Sequence, residues 1–446
     1  MKRRNICSVH SAGVLGAIVL GIQLGVFNLF QVNNHSTNAD EVGDTLYYGR
    51  DKLGIRYADY AKSTVYKLVL KPGTSNAATC SGSSYRLHDV GGLPIRKVGL
   101  MQTLGDTNVH ALSAVLDDRV SDRPMLRILA AGLHPGPGDK VYCNYKCIDE
   151  EVPFCSIEAH GVILLAGNHT DYIDEHDRKS LMNVMSLACA VRYDDTPDEV
   201  SLTTKQCGFS HNVLPVRSLN VSRGVMIPSR DVGICVRPFT MSALEKAAMT
   251  PEHLALWLEY LRLLRADKVH IYTSVLDDRF SKVLKFYQQE SFSIADLVDW
   301  KAADEQLDEV VSDEAAINHC IYNQLTAYDN IIVMSVEEWL VFSGKFHDLK
   351  ELVRHPEFRA KRDAFGGFRI RSPLELKRQM YIVNPMKILG SAARHFVALS
   401  GKPSFRVLET TDLLAVQYKD RKLSDSFRKE EVNLMQLLGE KDLLES

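Results

Sequence analysis

The second half of the chain alternates apolar runs with stretches in which apolar residues recur at helical spacing. Four runs predict buried strands, at residues 234–236, 269–272, 292–297 and 331–334. The stretches between them have the spacing of amphipathic helices. Strands that alternate with helices are joined by parallel crossovers, so this pattern predicts an α/β sheet.

One of these helices has a defined start. Thr250 is placed as an N-cap and Pro251 as the first helical residue, and Leu254, Trp257 and Leu261 follow at helical spacing. The sequence contains no G-x-x-x-x-G-K-S/T or G-x-G-x-x-G phosphate loop and no G-x-S-x-G nucleophile elbow. The pattern therefore favours neither a P-loop protein, nor a Rossmann dehydrogenase, nor a serine hydrolase.

The first half is different, because short β-like runs alternate with turn residues from residue 64 to about 232. The runs lie at residues 64–70, 109–115, 126–131, 141–143 and 157–165. Residues 135–138 read Pro-Gly-Pro-Gly, which predicts a turn. We expect a β-rich accessory domain here, built as a small sandwich.

The N-terminus has the features of a membrane anchor. Lys2, Arg3 and Arg4 precede an apolar run over residues 12–30. About 20 apolar residues span a bilayer as a helix. The basic end stays in the cytosol, which places the C-terminus in the lumen. A cleaved signal peptide is the alternative.

The predicted organisation follows from these patterns. In chain order it is a cytoplasmic tail (1–11), a transmembrane signal anchor (12–32), a stem (33–61), the β-rich accessory domain (62–232), the α/β domain (233–400) and a C-terminal helical tail (401–446).

Composition narrows the class of protein. The chain has 446 residues, a net charge of −3 and 24% charged residues, so it lacks the basic excess of a nucleic-acid-binding protein. Eight of its nine cysteines follow the apolar run, an even number that allows disulfides in the lumen without giving their pairing. A zinc site at Cys143, Cys147 and Cys155 lacks a second pair of ligands. Three sequons are candidate glycosylation sites, at Asn34, Asn168 and Asn220.

The stretch 328–341 has the strongest chemical pattern. A buried strand at 331–334 is followed by two carboxylates, Glu337 and Glu338. Acids at the carboxyl end of such a strand stand where α/β folds bind ligands. The alternative is a strand that runs into a solvated turn.

Several ordered motifs resemble glycosyltransferase family 92. Trp257-Leu258-Glu259-Tyr260 and Ile271-Tyr272 fit the spacing of that family's W-x-E-Y and I-Y motifs, with Arg265 where the family has glycine. Residues 315–320 resemble its A-A-I-N-D-C, with His319 in place of the acid. Residues 113–119 resemble the S-A-x-x-D-x-R motif of its N-terminal β part.

The resemblance implies a GT-A-like glycosyltransferase domain over residues 233–400, in a single-pass type II membrane protein of the Golgi. Relatives transfer galactose from UDP-galactose to a glycan, with inversion. The family's D-x-D-E-F metal motif falls on residues 335–339, where Ser335 replaces the first Asp and Glu337 the second. Mn²⁺ or Mg²⁺ bound there neutralises the diphosphate leaving group.

The resemblance also suggests roles for single residues. Residues expected to bind the donor are Ser335, Glu337, Glu338, Asp277 and Asp278; Glu337 and His395 are the candidate metal ligands, and Asp299 is the candidate base. For each of the acids Asp277, Asp278 and Asp299, the alternative to a functional role is a solvated loop residue, and for His395 it is a structural histidine. Trp300 and Trp339 either stack on a ligand or pack in the core. Because the first acid is lost, the rival hypothesis is an inactive family member that binds glycans or acts as a scaffold.

Overall fold

The computed structural model describes 19 segments of the chain: residues 78–80, 101–104, 107, 109–119, 124–133, 140–147, 154–166, 182–191, 195–208, 212–219, 230–289, 293–307, 309–342, 346–370, 380–392, 395–398, 403–404, 407–408 and 413–417. The predicted tail, anchor and stem at the N-terminus and all three sequons lie outside them. Within these segments no helix is long and apolar enough to cross a membrane.

The described residues form a mixed α/β structure, as predicted. The strands are β1 (Ala78–Thr79), β2 (Gln102–Thr103), β3 (Val109–Asp117), β4 (Met125–Leu133), β5 (Tyr142–Lys146), β6 (Phe154–Glu158), β7 (His160–Ala166), β8 (Met182–Ala190), β9 (Glu199–Thr203), β10 (Leu214–Ser218), β11 (Arg230–Phe239), β12 (Lys268–Thr273), β13 (Ala295–Asp299), β14 (Tyr328–Met334), β15 (Glu338–Phe342), β16 (Gly367–Ile370), β17 (Tyr381–Val383), β18 (Ile388–Ala392), β19 (His395–Ala398), β20 (Pro403–Ser404), β21 (Val407–Leu408) and β22 (Leu413–Gln417). The α-helices are α1 (Met241–Lys246), α2 (Pro251–Leu263), α3 (Asp278–Gln288), α4 (Lys301–Gln306), α5 (Glu309–Gln324), α6 (Leu349–Arg354) and α7 (Pro356–Phe365), and a 3₁₀ turn spans Pro385–Lys387.

The β-rich part is one continuous sheet, with the strand order β1-β6-β5-β9-β10-β3-β4-β8-β7. The predicted sandwich is therefore not two separate sheets. A disulfide nevertheless joins Cys143 of β5 to Cys189 of β8, with 6.3 Å between the Cα atoms, although four strands separate β5 from β8 in the sheet. The sheet must curl until its two ends face each other, and this encloses a core of its own. The predicted run 157–165 is interrupted at Ala159, which lies between β6 and β7.

The α/β part has the sheet order β13-β12-β11-β14-β17-β16-β21. The four strands β13, β12, β11 and β14 are parallel, and β17 then pairs antiparallel with β14. The four predicted strands are present, although the predicted 292–297 strand lies at Ala295–Asp299. Helix α2 begins as predicted, since the Thr250 hydroxyl accepts from the His253 N–H at 3.3 Å.

The predicted helical tail is wrong where it is described. Residues 403–404, 407–408 and 413–417 are strands, and β22 pairs antiparallel with β15 over five residues. The reason is that β15 offers a backbone edge that the apolar residues of β22 can pair with. The rest of that tail, from residue 418, lies outside the described residues.

Helix α5 separates the two halves of the molecule. One face of the α/β sheet packs against α2, α3, α6 and α7. The other face packs against α5, which also contacts β3, β4 and β8 of the curled sheet. Residues 311–322 of this helix are all buried. A disulfide between Cys235 of β11 and Cys320 fixes α5 to the sheet.

The four disulfides use all eight cysteines that follow the apolar run. Besides Cys143–Cys189 and Cys235–Cys320, they are Cys80–Cys207 and Cys147–Cys155. The predicted disulfides are therefore confirmed. The zinc alternative is excluded, because its three thiolates are bonded to other sulfurs.

The S-A-x-x-D-x-R motif joins the two halves through a buried cluster, which we call the clasp: Asp117, Arg119 and Arg127. Asp117 accepts from Arg119 at 2.8 Å through each carboxylate oxygen, and from Arg127 at 2.5 Å. Arg119 also donates to the carbonyls of Pro385 at 2.8 Å and Ile388 at 3.2 Å. The motif therefore positions the segment that leads into β18.

The clasp predicts a stability effect. Burial raises the pKa of Asp117, but the two guanidinium groups outweigh it and hold that pKa well below its usual range. Because the folded pKa is depressed, this stabilisation is present above about pH 4 and is lost as the pH falls below it. Asp117→Asn leaves two buried arginines short of a carboxylate and should lower the free energy of unfolding by about 3 kcal/mol at pH 7, measured by urea denaturation.

A matched control for the clasp is Glu158→Gln, which removes an exposed ion pair with Lys140 at 2.9 Å. Its effect on the free energy of unfolding should be much smaller than that of Asp117→Asn, because water screens an exposed pair. Equal effects of the two substitutions would show that the clasp does not stabilise the fold.

Buried His319 on α5 predicts a second effect. Its Nδ1 lies 2.8 Å from the Tyr272 hydroxyl, and burial together with nearby Arg217 lowers its pKa to about 4. Between pH 6.5 and about 4 the unfolded chain therefore binds a proton at this histidine that the folded chain does not, so stability falls as the pH drops. His319→Gln should reduce the loss of unfolding free energy between pH 7 and pH 5 by about 2 kcal/mol. Exposed His347→Gln is the control, and an unchanged pH slope in both variants would contradict the prediction.

Candidate functional site at the carboxyl edge of the sheet

The parallel sheet has one topological switch point. From β11 the chain first adds β12 and β13 on one side, and it then returns to add β14 on the other side. The crevice at the carboxyl ends of β11 and β14 is where open α/β sheets bind their ligands. The last paired residues of the two strands are Val236 and Met334, so Arg237 and Ser335 come next, side by side.

The turn between β14 and β15 carries the predicted acids Glu337 and Glu338, which differ in burial and in hydrogen bonding. The Glu338 N–H donates to the Ser335 carbonyl at 3.0 Å, and the Ser335 N–H donates back to the Glu338 carboxylate. Glu338 is thus buried and engaged in closing the turn. Glu337 is half-buried, and its carboxylate has no hydrogen bond or ion pair with any described residue. It is therefore the acid of this turn that is free to take a ligand.

Helix α2 fixes this turn through its W-x-E-Y motif. Trp257 Nε1 donates to the Glu338 carbonyl at 3.0 Å, and the Tyr260 hydroxyl donates to the Leu340 carbonyl. Trp339 packs on Tyr260, with 4.8 Å between ring centroids, and is a core residue. The motif therefore acts by holding β15, and Trp339 is not available to stack on a ligand.

Behind the turn lies a buried polar network. Arg237 Nη1 is 3.8 Å from a Glu314 oxygen. The other Glu314 oxygen accepts from the Ser391 hydroxyl, which also bonds to the Tyr381 hydroxyl. Asn318 of the A-A-I-N motif accepts from the Ser391 N–H at 2.8 Å and donates to the Ser391 carbonyl at 3.0 Å. Two helical residues thereby hold β18 against the site.

Charge in this network is dominated by carboxylates. Burial lowers the pKa of Arg237, but Glu314, Asp313 and Glu338, together with Tyr381, outweigh burial and raise it. Burial also raises the pKa of Tyr381. Arg237 therefore remains a cation at neutral pH, and Tyr381 remains a neutral phenol.

The other predicted acids lie at the same edge but further along it. Asp277 caps α3 by accepting from the Phe280 N–H at 3.0 Å, which lowers its pKa, and Asp278 is exposed in the first turn. Asp299 is exposed at the end of β13 and accepts from the Lys301 N–H at 3.1 Å. Three strand spacings separate β13 from β14, or about 14 Å. The structure therefore does not bring Asp299 next to Glu337. Trp300 is fully buried against Tyr272.

The candidate metal ligands are His395 and Glu337. The backbone of His395 begins β19, opposite Ala392. Among the described residues, the group of three potential ligands within 4.8 Å of one another is Cys147, Cys155 and Asp195, and two of these form a disulfide. At the switch point, Glu337 offers one carboxylate that is not paired with any described residue. One carboxylate fits a Mg²⁺ or Mn²⁺ ion that takes most of its ligands from substrate phosphates and water.

Sequence reasoning missed the residues of the buried network: Arg237, Glu314, Tyr381 and Ser391. An arginine that ends an apolar strand was the available signal for Arg237. Glu314 directly precedes the A-A-I-N motif, but nothing local indicates that it pairs with a residue 77 positions further along.

Comparison with known proteins agrees with the motifs. Residues 230–361 match the model of glycosyltransferase family 92. This segment holds the four parallel strands, the W-x-E-Y and A-A-I-N motifs and the Ser335–Glu338 turn, but not residues 113–119. No curated protein matches the chain. The resemblance to glycosyltransferase family 92 is thus confirmed over residues 230–361, the segment that matches the model of that family.

Proposed function

We propose that this protein transfers a hexose, with galactose from UDP-galactose as the first candidate, to a glycan acceptor. The observation that carries the proposal is the position of the family's metal motif. The Ser335–Glu338 turn stands at the switch point of the sheet, and Glu337 is free to take a ligand. The family match over the same segment supports this assignment.

The chemistry needs positive charge beside the leaving diphosphate. Glu337 would hold a divalent cation, Mn²⁺ or Mg²⁺, which would supply that charge. His395 is the further candidate ligand. Transfer with inversion needs a base at the acceptor hydroxyl, and exposed Asp299 is the candidate. Asp277 and Asp278 are candidates for contacts with the donor.

A secretory-pathway location is part of the proposal. Four disulfides in the described residues are typical of proteins that fold in an oxidising compartment. Together with the basic cluster and the apolar run at the N-terminus, they support a single-pass type II protein with its C-terminus in the Golgi lumen.

The rival function is an inactive family member that binds glycans. Two observations favour it. Ser335 replaces the first acid of the motif, and Glu338, one of the two remaining acids, is engaged in closing the turn. Binding of nucleotide and metal separates the two hypotheses.

Titration of UDP by calorimetry, with and without Mn²⁺, tests the transferase. The protein should bind UDP in a Mn²⁺-dependent way, and Glu337→Gln should weaken that binding at least ~10-fold, because the ion loses its protein carboxylate. Glu305→Gln, an exposed acid on α4, is the matched control and should bind as the wild type does.

Three outcomes would count against parts of this model. A folded protein that binds no UDP under either condition favours the inactive family member. Binding that is independent of Mn²⁺ and survives Glu337→Gln places the donor site elsewhere. An active enzyme whose product retains the anomeric configuration, determined by NMR, removes the inverting mechanism.

A further inference from the structure

Two buried side chains at the switch point have hydrogen-bonding groups without a partner among the described residues. They are Arg237 Nη2 and Ser335 Oγ. Arg237 is 5% exposed and Ser335 is 8% exposed. Buried polar groups in folded proteins are nearly always paired, so two unpaired ones at a ligand-binding edge indicate that a ligand completes their hydrogen bonding.

Strand register places these two groups together. They directly follow the paired residues Val236 and Met334 of adjacent parallel strands, which lie about 4.8 Å apart. Cys235 and Val333, two positions earlier, both face α5. Side chains alternate along a strand, so Arg237 and Ser335 also point to that face.

The backbone at Arg237 is irregular in a way that fits a binding role. The pairing of β11 with β12 shifts between Val236 and Phe239, where three residues of β11 oppose two of β12. This bulge contains Arg237 and Pro238. Bulges next to active sites redirect a side chain and end the pairing, and proline is tolerated there.

Local charge decides what kind of ligand fits. The Arg237 guanidinium lies 3.8 Å from a Glu314 carboxylate oxygen, and the negative charge of Asp313 and Glu338 also raises its pKa. A phosphate brought here would compete with the Glu314 carboxylate that already pairs with this guanidinium. A neutral hydroxyl group fits, because its oxygen accepts from Arg237 Nη2 and its hydrogen donates to Ser335 Oγ.

The network holds the guanidinium in place before a ligand arrives. Glu314 is fixed by the Ser391 hydroxyl, and Ser391 is fixed at its N–H and carbonyl by Asn318. A preorganised donor loses little side-chain entropy when it binds.

We propose that Arg237 and Ser335 bind a hydroxyl group of the transferred hexose and so recognise the sugar, rather than the nucleotide, of the donor. The proposal rests on the proposed function, because it assigns these residues to the donor of that reaction.

The test compares nucleotide with nucleotide sugar on the purified full-length chain. Dissociation constants are measured for UDP, UDP-galactose, UDP-glucose and UDP-N-acetylglucosamine in Mn²⁺, for the wild type, Ser335→Ala and Arg237→Lys. Each substitution should weaken binding of the preferred UDP-sugar roughly tenfold and change UDP affinity less than about twofold, since one hydrogen bond to the sugar is lost. Ser186→Ala, which removes another buried hydroxyl, bonded to Tyr322, is the matched control and should change neither affinity.

The remaining outcomes overturn the proposal in distinguishable ways. Equal weakening of UDP and UDP-sugar would show that the pair contacts the phosphates or nucleoside. Unchanged affinities for both would show that the two groups are structural. Failure of the folded wild type to bind any of the four ligands would overturn the proposed function itself. If Arg237→Lys does not fold, Ser335→Ala alone tests the proposal, because the serine substitution leaves every ion pair intact.

Discussion

Helix α5 is enclosed between two sheets, and the structure depends on how its polar side chains are satisfied there. Residues 311–322 are all buried, so a polar side chain left unpaired there costs free energy. Asn318 hydrogen-bonds to the backbone of Ser391, His319 to the hydroxyl of Tyr272, and Tyr322 to the hydroxyl of Ser186. One of these partners lies in the curled sheet and the others lie in the α/β part. The helix therefore sets how the two halves meet, and the disulfide of Cys320 fixes its position on β11.

Local pattern was enough for the four parallel strands of the α/β sheet, because buried parallel strands are apolar runs and helix starts have their own signals. Thr250 and the run 331–334 show this well. The curled sheet was harder. Strand β8 reads Met-Asn-Val-Met-Ser-Leu-Ala-Cys-Ala, and its polar residues Asn183 and Ser186 are buried, so no alternation of polar and apolar residues marks it. Its place beside β4 and its disulfide to β5 are long-range facts that no local window contains.

The candidate site also has parts that local sequence predicts and parts that depend on long-range contacts. The turn with Glu337 and Glu338 could be placed from the sequence, because strand ends at a sheet edge are predictable. The clasp and the buried network could not be. Arg119 bonds to carbonyls more than 260 positions away, and Glu314 bonds to Ser391. The motifs that carry the family resemblance have positioning roles: Trp257, Tyr260, Asn318 and Asp117 all hold strands or turns that border the crevice.

Glu338 closes the turn and Glu337 does not, and this difference explains how the turn can keep its shape with Ser335 in place of the first aspartate of the family's motif. Glu338 closes the turn through the Ser335 N–H, a backbone group that is present whatever side chain stands at 335. Replacing an aspartate there by serine therefore leaves the turn intact. What changes is the charge at the crevice, which falls by one carboxylate, and the hydrogen-bonding group on offer, which becomes a hydroxyl beside Arg237. Under the proposed function, such an exchange would weaken the protein's hold on a cation and favour a neutral, hydroxyl-bearing ligand, which is the part of the donor that the sugar supplies.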